Sequence, residues 1–198
     1  MLRARKAEAP RLQPSGLLAG LLAELDPEQP FTVLHLGPGV PETVDFFSDF
    51  RCRLFFVDLF EHLPVTTDPE GGVDLDRQFR DWLGLPAGTT LDLCLFWDFF
   101  DFLEPDAIAA LVRVLRHYLS HDSSGHLYTV RNQRARQSGD RYGIYEGEQV
   151  RLHRRPRPLP GYRPSTPRQL QQMLNCFRFE RNLLLEDGRL EISLRANL

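Results

Sequence analysis

Lysine is almost missing from this chain of 198 residues: of 24 basic side chains, 23 are arginine and one is Lys6. Cysteine is sparse as well, and Cys52, Cys94 and Cys176 lie far apart. Three scattered thiols build no disulfide framework and have no zinc-ligand spacing, so they read as buried or incidental thiols of a reducing compartment. No apolar run reaches the roughly 18 residues that a bilayer crossing needs, and no repeat of solenoid period is present. Hydrophobic residues make up 42% and charged residues 26%, which excludes a wholly disordered, coiled-coil or collagen-like chain. The start, MLRARKAEAPRLQP, lacks the apolar stretch of a secretory signal. Residues 1–14 are read as a flexible basic arm, residues 15–198 as one domain, and the compartment as cytoplasmic.

What is present is an alternation of helical and strand patterns. Ser15 is placed to cap a helix whose apolar face is Leu17, Leu18, Leu21, Leu22 and Leu25. Phe31–Leu36 and a second run centred on residues 54–57 read as buried strands, with a helix from Pro41 to about Phe50 between them. Leu75–Leu83 reads as a short helix and Leu91–Trp97 as a strand. A helix over residues 105–119, a strand over 126–130, a helix from Thr166-Pro167, and a hairpin around Asp187-Gly188 follow. Continuously apolar strands separated by helices predict an α/β fold, a Rossmann-like three-layer sandwich. Its sheet is mostly parallel and ends in a C-terminal antiparallel hairpin.

In such a sheet ligands bind beyond the carboxyl ends of the strands. The first strand ends in His35-Leu36-Gly37-Pro38-Gly39, and nineteen residues after Gly39 the second ends at Asp58. A glycine turn that brings backbone close to a ligand, followed by an acid spaced for ribose hydroxyls, points to a nucleoside-containing ligand. The third place of a GxGxxG pattern is Glu42. A carboxylate in the first helical turn repels phosphates, which disfavours a dinucleotide and tolerates a cationic sulfonium.

The order of these segments resembles the class I S-adenosylmethionine-dependent methyltransferases over about residues 15–198. FTVLHLGPGVPETVDFFS is similar to the family's cofactor loop and LFFVDLF to its second strand with the ribose-binding acid. LDLCLFWDFFDFLEPDAIAALVRVLRHYLS is similar to the fourth strand and the helix after it, and SGHLYTV to the fifth strand. STPRQLQQML and FRFERNLLLEDGRLEISLRA resemble the last helix and the closing hairpin. The resemblance implies S-adenosylmethionine as cofactor, lined by Leu36, Gly37, Pro38 and Gly39, with Asp58 on the ribose and Leu59 beside the adenine. It also implies that Phe96 and Trp97 border the departing methyl group. His35 stands where the family has an acid that helps to hold the cofactor's amino group. Pro41 replaces a glycine, and the stretch from Asp58 to Asp92 shows no clear third strand.

Charge is divided unevenly. Residues 131–168 hold ten arginines against Asp140, Glu146 and Glu148, a local charge of +7 that leaves the remainder at −10 for a net −3. The stretch also contains Tyr142, Tyr145 and Tyr162. Arginine and tyrosine favour binding surfaces, so the segment over about 131–165 is read as an Arg/Tyr-rich insertion. Arg131, Arg134, Arg136, Arg141, Tyr142 and Tyr145 are its substrate or partner contacts. A methyl acceptor, an acidic protein, nucleic acid and a second copy of the chain all remain open as its occupant, and a membrane does not. Asp98 and Asp101 read as surface acids before a helix. His117, His121 and His126 lack a completing ligand, so no metal is expected. Two functions follow: transfer of a methyl group to an unidentified acceptor, or a catalytically inactive binding or regulatory subunit of the same fold.

Overall fold

The computed structural model describes residues 9–65, 74–137 and 139–198. Residues 1–8 of the arm expected over 1–14, and position 138 of the arginine-rich segment, lie outside them. Nine strands are described: β1 (Arg11–Pro14), β2 (Phe31–Leu36), β3 (Cys52–Val57), β4 (Leu91–Trp97), β5 (Leu119–Val130), β6 (Asp140–Tyr145), β7 (Gln149–Arg154), β8 (Phe177–Leu184) and β9 (Arg189–Ala196). The helices are α1 (Gly16–Ala23), α2 (Pro41–Phe47), α3 (Leu75–Leu83), α4 (Pro105–Arg116) and α5 (Pro167–Met173), with 3-10 turns at Leu59–His62 and Phe99–Phe102.

Six strands form the central sheet in the order β3-β2-β4-β5-β9-β8. β3, β2, β4 and β5 run parallel, and β9 is antiparallel to both β5 and β8. This is the expected α/β sandwich with its closing hairpin. Strand residues alternate between two cores, as the period of two requires. Leu34, Leu36, Cys94, Phe96, Leu127 and Leu194 pack with Phe79, Ile108, Leu111, Leu115 and Leu170 of α3, α4 and α5 on one face. Val33, Leu93, Leu95, Trp97 and Tyr128 pack on the other with Leu18, Leu21 and Leu22 of α1 and Phe47 of α2. Each such side chain, fully buried, contributes about 1.5–3 kcal/mol of transfer free energy. No described residue adds a strand beyond β3, so β3 is an edge of this sheet.

A second sheet covers part of the α1/α2 face. β1, β7 and β6 pair antiparallel in that order, and Tyr142, Ile144, Val150 and Leu152 point into the core beneath. The middle of the arginine-rich insertion, residues 140–154, is therefore a β-hairpin. The expected arm is revised in the same way: Arg11–Pro14 is a strand on β7, and Arg11 is bonded to Asp140 at 3.1 Å.

Two local readings also change. Ser15 does not cap α1 with its own side chain. Its hydroxyl donates to Glu191 Oε1 at 2.5 Å, and that same oxygen accepts from the backbone N–H groups of Leu17 (3.2 Å) and Leu18 (3.1 Å). A carboxylate from β9 thus satisfies the orphan donors of the first turn. Strand β5 begins at Leu119 rather than His126, because its pairing with β4 jumps from Leu91↔Leu119 to Leu93↔Ser124 and absorbs the irregular stretch.

Candidate functional site

The carboxyl ends of β2, β3 and β4 meet beneath the hairpin β6–β7. β2 leads into Gly37, which is buried and has φ +134°, a conformation that side chains rarely adopt. Its N–H donates to the Val57 carbonyl at 2.8 Å, which ties the glycine turn to the end of β3. Pro38 is half-buried, Gly39 is exposed, and Pro41 opens α2.

His35 does not act as the acid it replaces. It is buried, and burial lowers its pKa to about 3, so the imidazole is neutral. The Trp97 indole N–H donates to its Nε2 at 3.2 Å, which fixes that nitrogen as an acceptor. Trp97 closes β4 with φ +53° and is 1% exposed. Its ring lies parallel to that of Tyr142, with centroids 5.1 Å apart and an angle of 8°. Arg189 bonds the Tyr142 hydroxyl at 3.3 Å. His35 edge-on to Trp97, and Trp97 stacked on Tyr142, therefore join strand end to hairpin.

Asp58 follows β3. It is half-buried, and its Oδ1 is shielded from solvent without a hydrogen-bond partner. Burial raises its pKa, against the opposing pull of Arg155 and Arg141. Arg155 leaves the hairpin just after β7. Its guanidinium lies over the Phe60 ring, 4.5 Å from the centroid, and its Nε donates to the Asp140 carbonyl at 3.2 Å. Burial lowers the Arg155 pKa, and the charges of Asp98 and Asp58 oppose that. Asp98 and Asp101 are 4% and 2% exposed, which corrects their reading as surface acids. Burial holds the Asp101 pKa well above the ordinary carboxylate range, although Thr129 Oγ1 donates to its Oδ1 at 2.7 Å.

The hairpin is clamped to α2. Glu42, in the first turn, is bonded to His153, and Ile144 N–H donates to Thr43 Oγ1 at 3.0 Å. Gly143 permits this approach: a Cβ there would lie 2.5 Å from Glu42 Oε1.

The predicted site residues are thus only partly assembled. His35, Gly37, Asp58 and Trp97 belong to the region beneath the hairpin, and Arg141 and Tyr142 are contributed by its strand β6. Leu36, Leu59 and Phe96 are fully buried in the core facing α3 and α4. Arg131, Arg134 and Arg136 are exposed on the loop after β5, and Tyr145 is half-buried with Arg151 stacked 4.2 Å over its ring. Sequence reading missed Arg155, Phe60 and the pair of Glu42 with His153. The signal was there: Tyr142 and Ile144, then Val150 and Leu152, alternate apolar and polar around Glu146-Gly147. Among the described residues no group of histidine, cysteine and carboxylates is placed to hold a metal, and no helix is long and apolar enough to cross a membrane. A cavity of about 760 Å³ lies at the opposite end of the sheet, lined by Pro30, Thr32, Arg51, Arg53, Thr89 and Asp92 among others.

No protein-family model and no curated protein matches the sequence. Solved structures do match. An S-adenosylmethionine-dependent methyltransferase from Mesorhizobium loti is 15% identical, with 89% of this chain and 95% of that one covered and a TM-score of 0.51. The CcbJ methyltransferase from Streptomyces caelestis is also 15% identical, with coverages of 91% and 88% and a TM-score of 0.50. The chain shares the Rossmann-like α/β fold of these two structures. Within that fold the Gly37 turn and Asp58 lie at the carboxyl ends of adjacent parallel strands, where α/β sheets bind ligands.

Proposed function

We propose that this methyltransferase-fold chain binds S-adenosylmethionine and transfers its methyl group to an acceptor that enters beside the hairpin β6–β7. The observation that carries the reading is the Asp58 Oδ1, a buried acceptor with no donor, set beyond the glycine turn. A buried acceptor left unbonded costs about 1–3 kcal/mol, and a ribose hydroxyl supplies the missing donor. Asp58 would hold the ribose, and Gly37 to Gly39 would let backbone approach the sulfonium end. The sulfonium, when bound, supplies an electrophilic methyl group.

What this chain contributes to such a transfer is alignment and exclusion of water. Trp97 and Tyr142 form an apolar wall that is almost wholly buried. His35 is neutral and so provides no counter-charge to the cofactor's ammonium group; affinity then rests on the ribose and the base. Calorimetric titration with S-adenosylmethionine and S-adenosylhomocysteine tests the reading. Binding that disappears in Asp58→Ala supports it; absence of binding to the folded wild-type and to hairpin variants that open the crevice refutes it.

A further inference from the structure

The hairpin does more than roof the crevice. Arg155 is the first residue beyond β7, and two hydrogen bonds and one ring contact fix its position: its N–H to the Gly139 carbonyl at 2.9 Å, its Nε to the Asp140 carbonyl at 3.2 Å, and its guanidinium over the Phe60 ring, 4.5 Å from the centroid. Phe60 is two residues from Asp58 in the same 3-10 turn region. A nucleoside whose ribose reaches Asp58 must lay its base within a few ångströms of that turn. A planar, delocalised cation stacked on an aromatic face uses the same contact surface as a purine. Arg155 also sits within the fields of Asp58 and Asp98, the carboxylates that line this end of the sheet.

We infer that Arg155 is an internal competitor for the cofactor, occupying the base's seat on Phe60 until its side chain swings away. This concerns the regulation of the proposed cofactor site and rests on that reading. The parts are built for a two-state contact. The hairpin is held on α2 by Glu42 with His153 and by Ile144 with Thr43, contacts that involve neither Arg155 nor Phe60. Displacing Arg155 therefore leaves the frame intact. A site competent only in the displaced state binds with an apparent affinity reduced by the fraction of time that state is populated.

The experiment is calorimetric titration of S-adenosylhomocysteine into the wild-type, Arg155→Ala, Arg155→Gln and Arg155→Ala/Asp58→Ala proteins, each shown folded by circular dichroism. Removal of the guanidinium is expected to tighten binding about tenfold or more. Methylguanidinium ion at millimolar concentration, reoccupying the emptied seat, is expected to weaken binding to Arg155→Ala and leave the wild-type unchanged. The double variant, lacking the ribose acceptor, is expected to lose binding. If the wild-type binds and the Arg155 variants bind equally or more weakly, Arg155 is a bystander or a ligand contact, and the inference falls while the cofactor reading stands. If neither the wild-type nor either single variant binds, both fall together. Two different single substitutions guard against a local collapse peculiar to one of them.

Discussion

The carboxylate of Glu42 occupies the space that a side chain at position 143 would need. A Cβ on Gly143 would meet three atoms of Glu42, its Oε1, Cγ and Cδ, at 2.5–2.7 Å. Helix α2 and strand β6 approach this closely because the glycine has no side chain, and Glu42 is then free to reach His153.

Gly143→Ala is accordingly expected to destabilise the fold by about 1–3 kcal/mol through overpacking. In a Glu42→Ala background the same change is expected to cost less than about 1 kcal/mol, because the clashing atoms are gone. A double-mutant cycle by urea unfolding checks this, and equal costs in both backgrounds would refute the contact.

His35 makes acid stability depend on its own titration. Burial lowers its pKa from 6.5 to about 3, so below 6.5 the unfolded chain takes up a proton that the folded chain refuses. Stability therefore falls as the pH drops from 6.5 towards 3, with a slope approaching about 1.4 kcal/mol per pH unit. His35→Gln retains an acceptor for Trp97 and does not titrate. Its stability at neutral pH is expected to be within about 1.5 kcal/mol of wild-type, with a shallower loss between pH 6 and 4, read from denaturant midpoints. Parallel pH profiles would count against it.

Glu191 is 0% exposed, bonded to Ser15, Leu17 and Leu18, and lies 3.0 Å from His126 Nε2. Burial works to raise its pKa, and the bonds from His126, Ser15 and Leu18 bring it below the ordinary value. Removing one partner of a buried pair costs about 3–5 kcal/mol. Glu191→Ala is expected to lose that much in equilibrium unfolding, and Glu191→Gln, which still accepts from α1, distinctly less.

Asp101 carries the opposite sign. Its folded pKa is raised by burial, so the stability it contributes while protonated is lost as the pH climbs from the unfolded value of 3.8 through the folded one. Asp101→Asn keeps an acceptor for Thr129 and bears no charge. It is expected to unfold at a higher temperature than wild-type at pH 7, with the difference shrinking towards pH 4; a lower melting temperature at pH 7 would overturn this.

Legibility in the sequence followed the strength of the periodic signal. β2 and β4 are continuous apolar runs buried on both faces, and α3 has an N-cap at Asp74 that bonds Arg77 N–H; these elements have the bounds their patterns predict. The helix expected to 119 stops at Arg116, and the one expected to Phe50 stops at Phe47. The hairpin β6–β7 escaped because Arg141, Arg151 and Arg154 drew it into a charge count, which hid the alternation of Tyr142, Ile144, Val150 and Leu152. For the site, the glycine turn and Asp58 were readable as chain-local spacing. Arg155 on Phe60 was not, since that contact depends on how one sheet docks over another.

The small sheet has a kinetic consequence. Its outer pairing joins Arg11 to Leu152 across more than two thirds of the chain, whereas β2–β3 and β8–β9 pair neighbours in sequence. Closing so large a loop is entropically late, so the six-stranded sheet is expected to assemble first and the roof over Asp58 last. By the same token, its amides are expected to be among the first to exchange with solvent in the native protein while the sandwich stays folded.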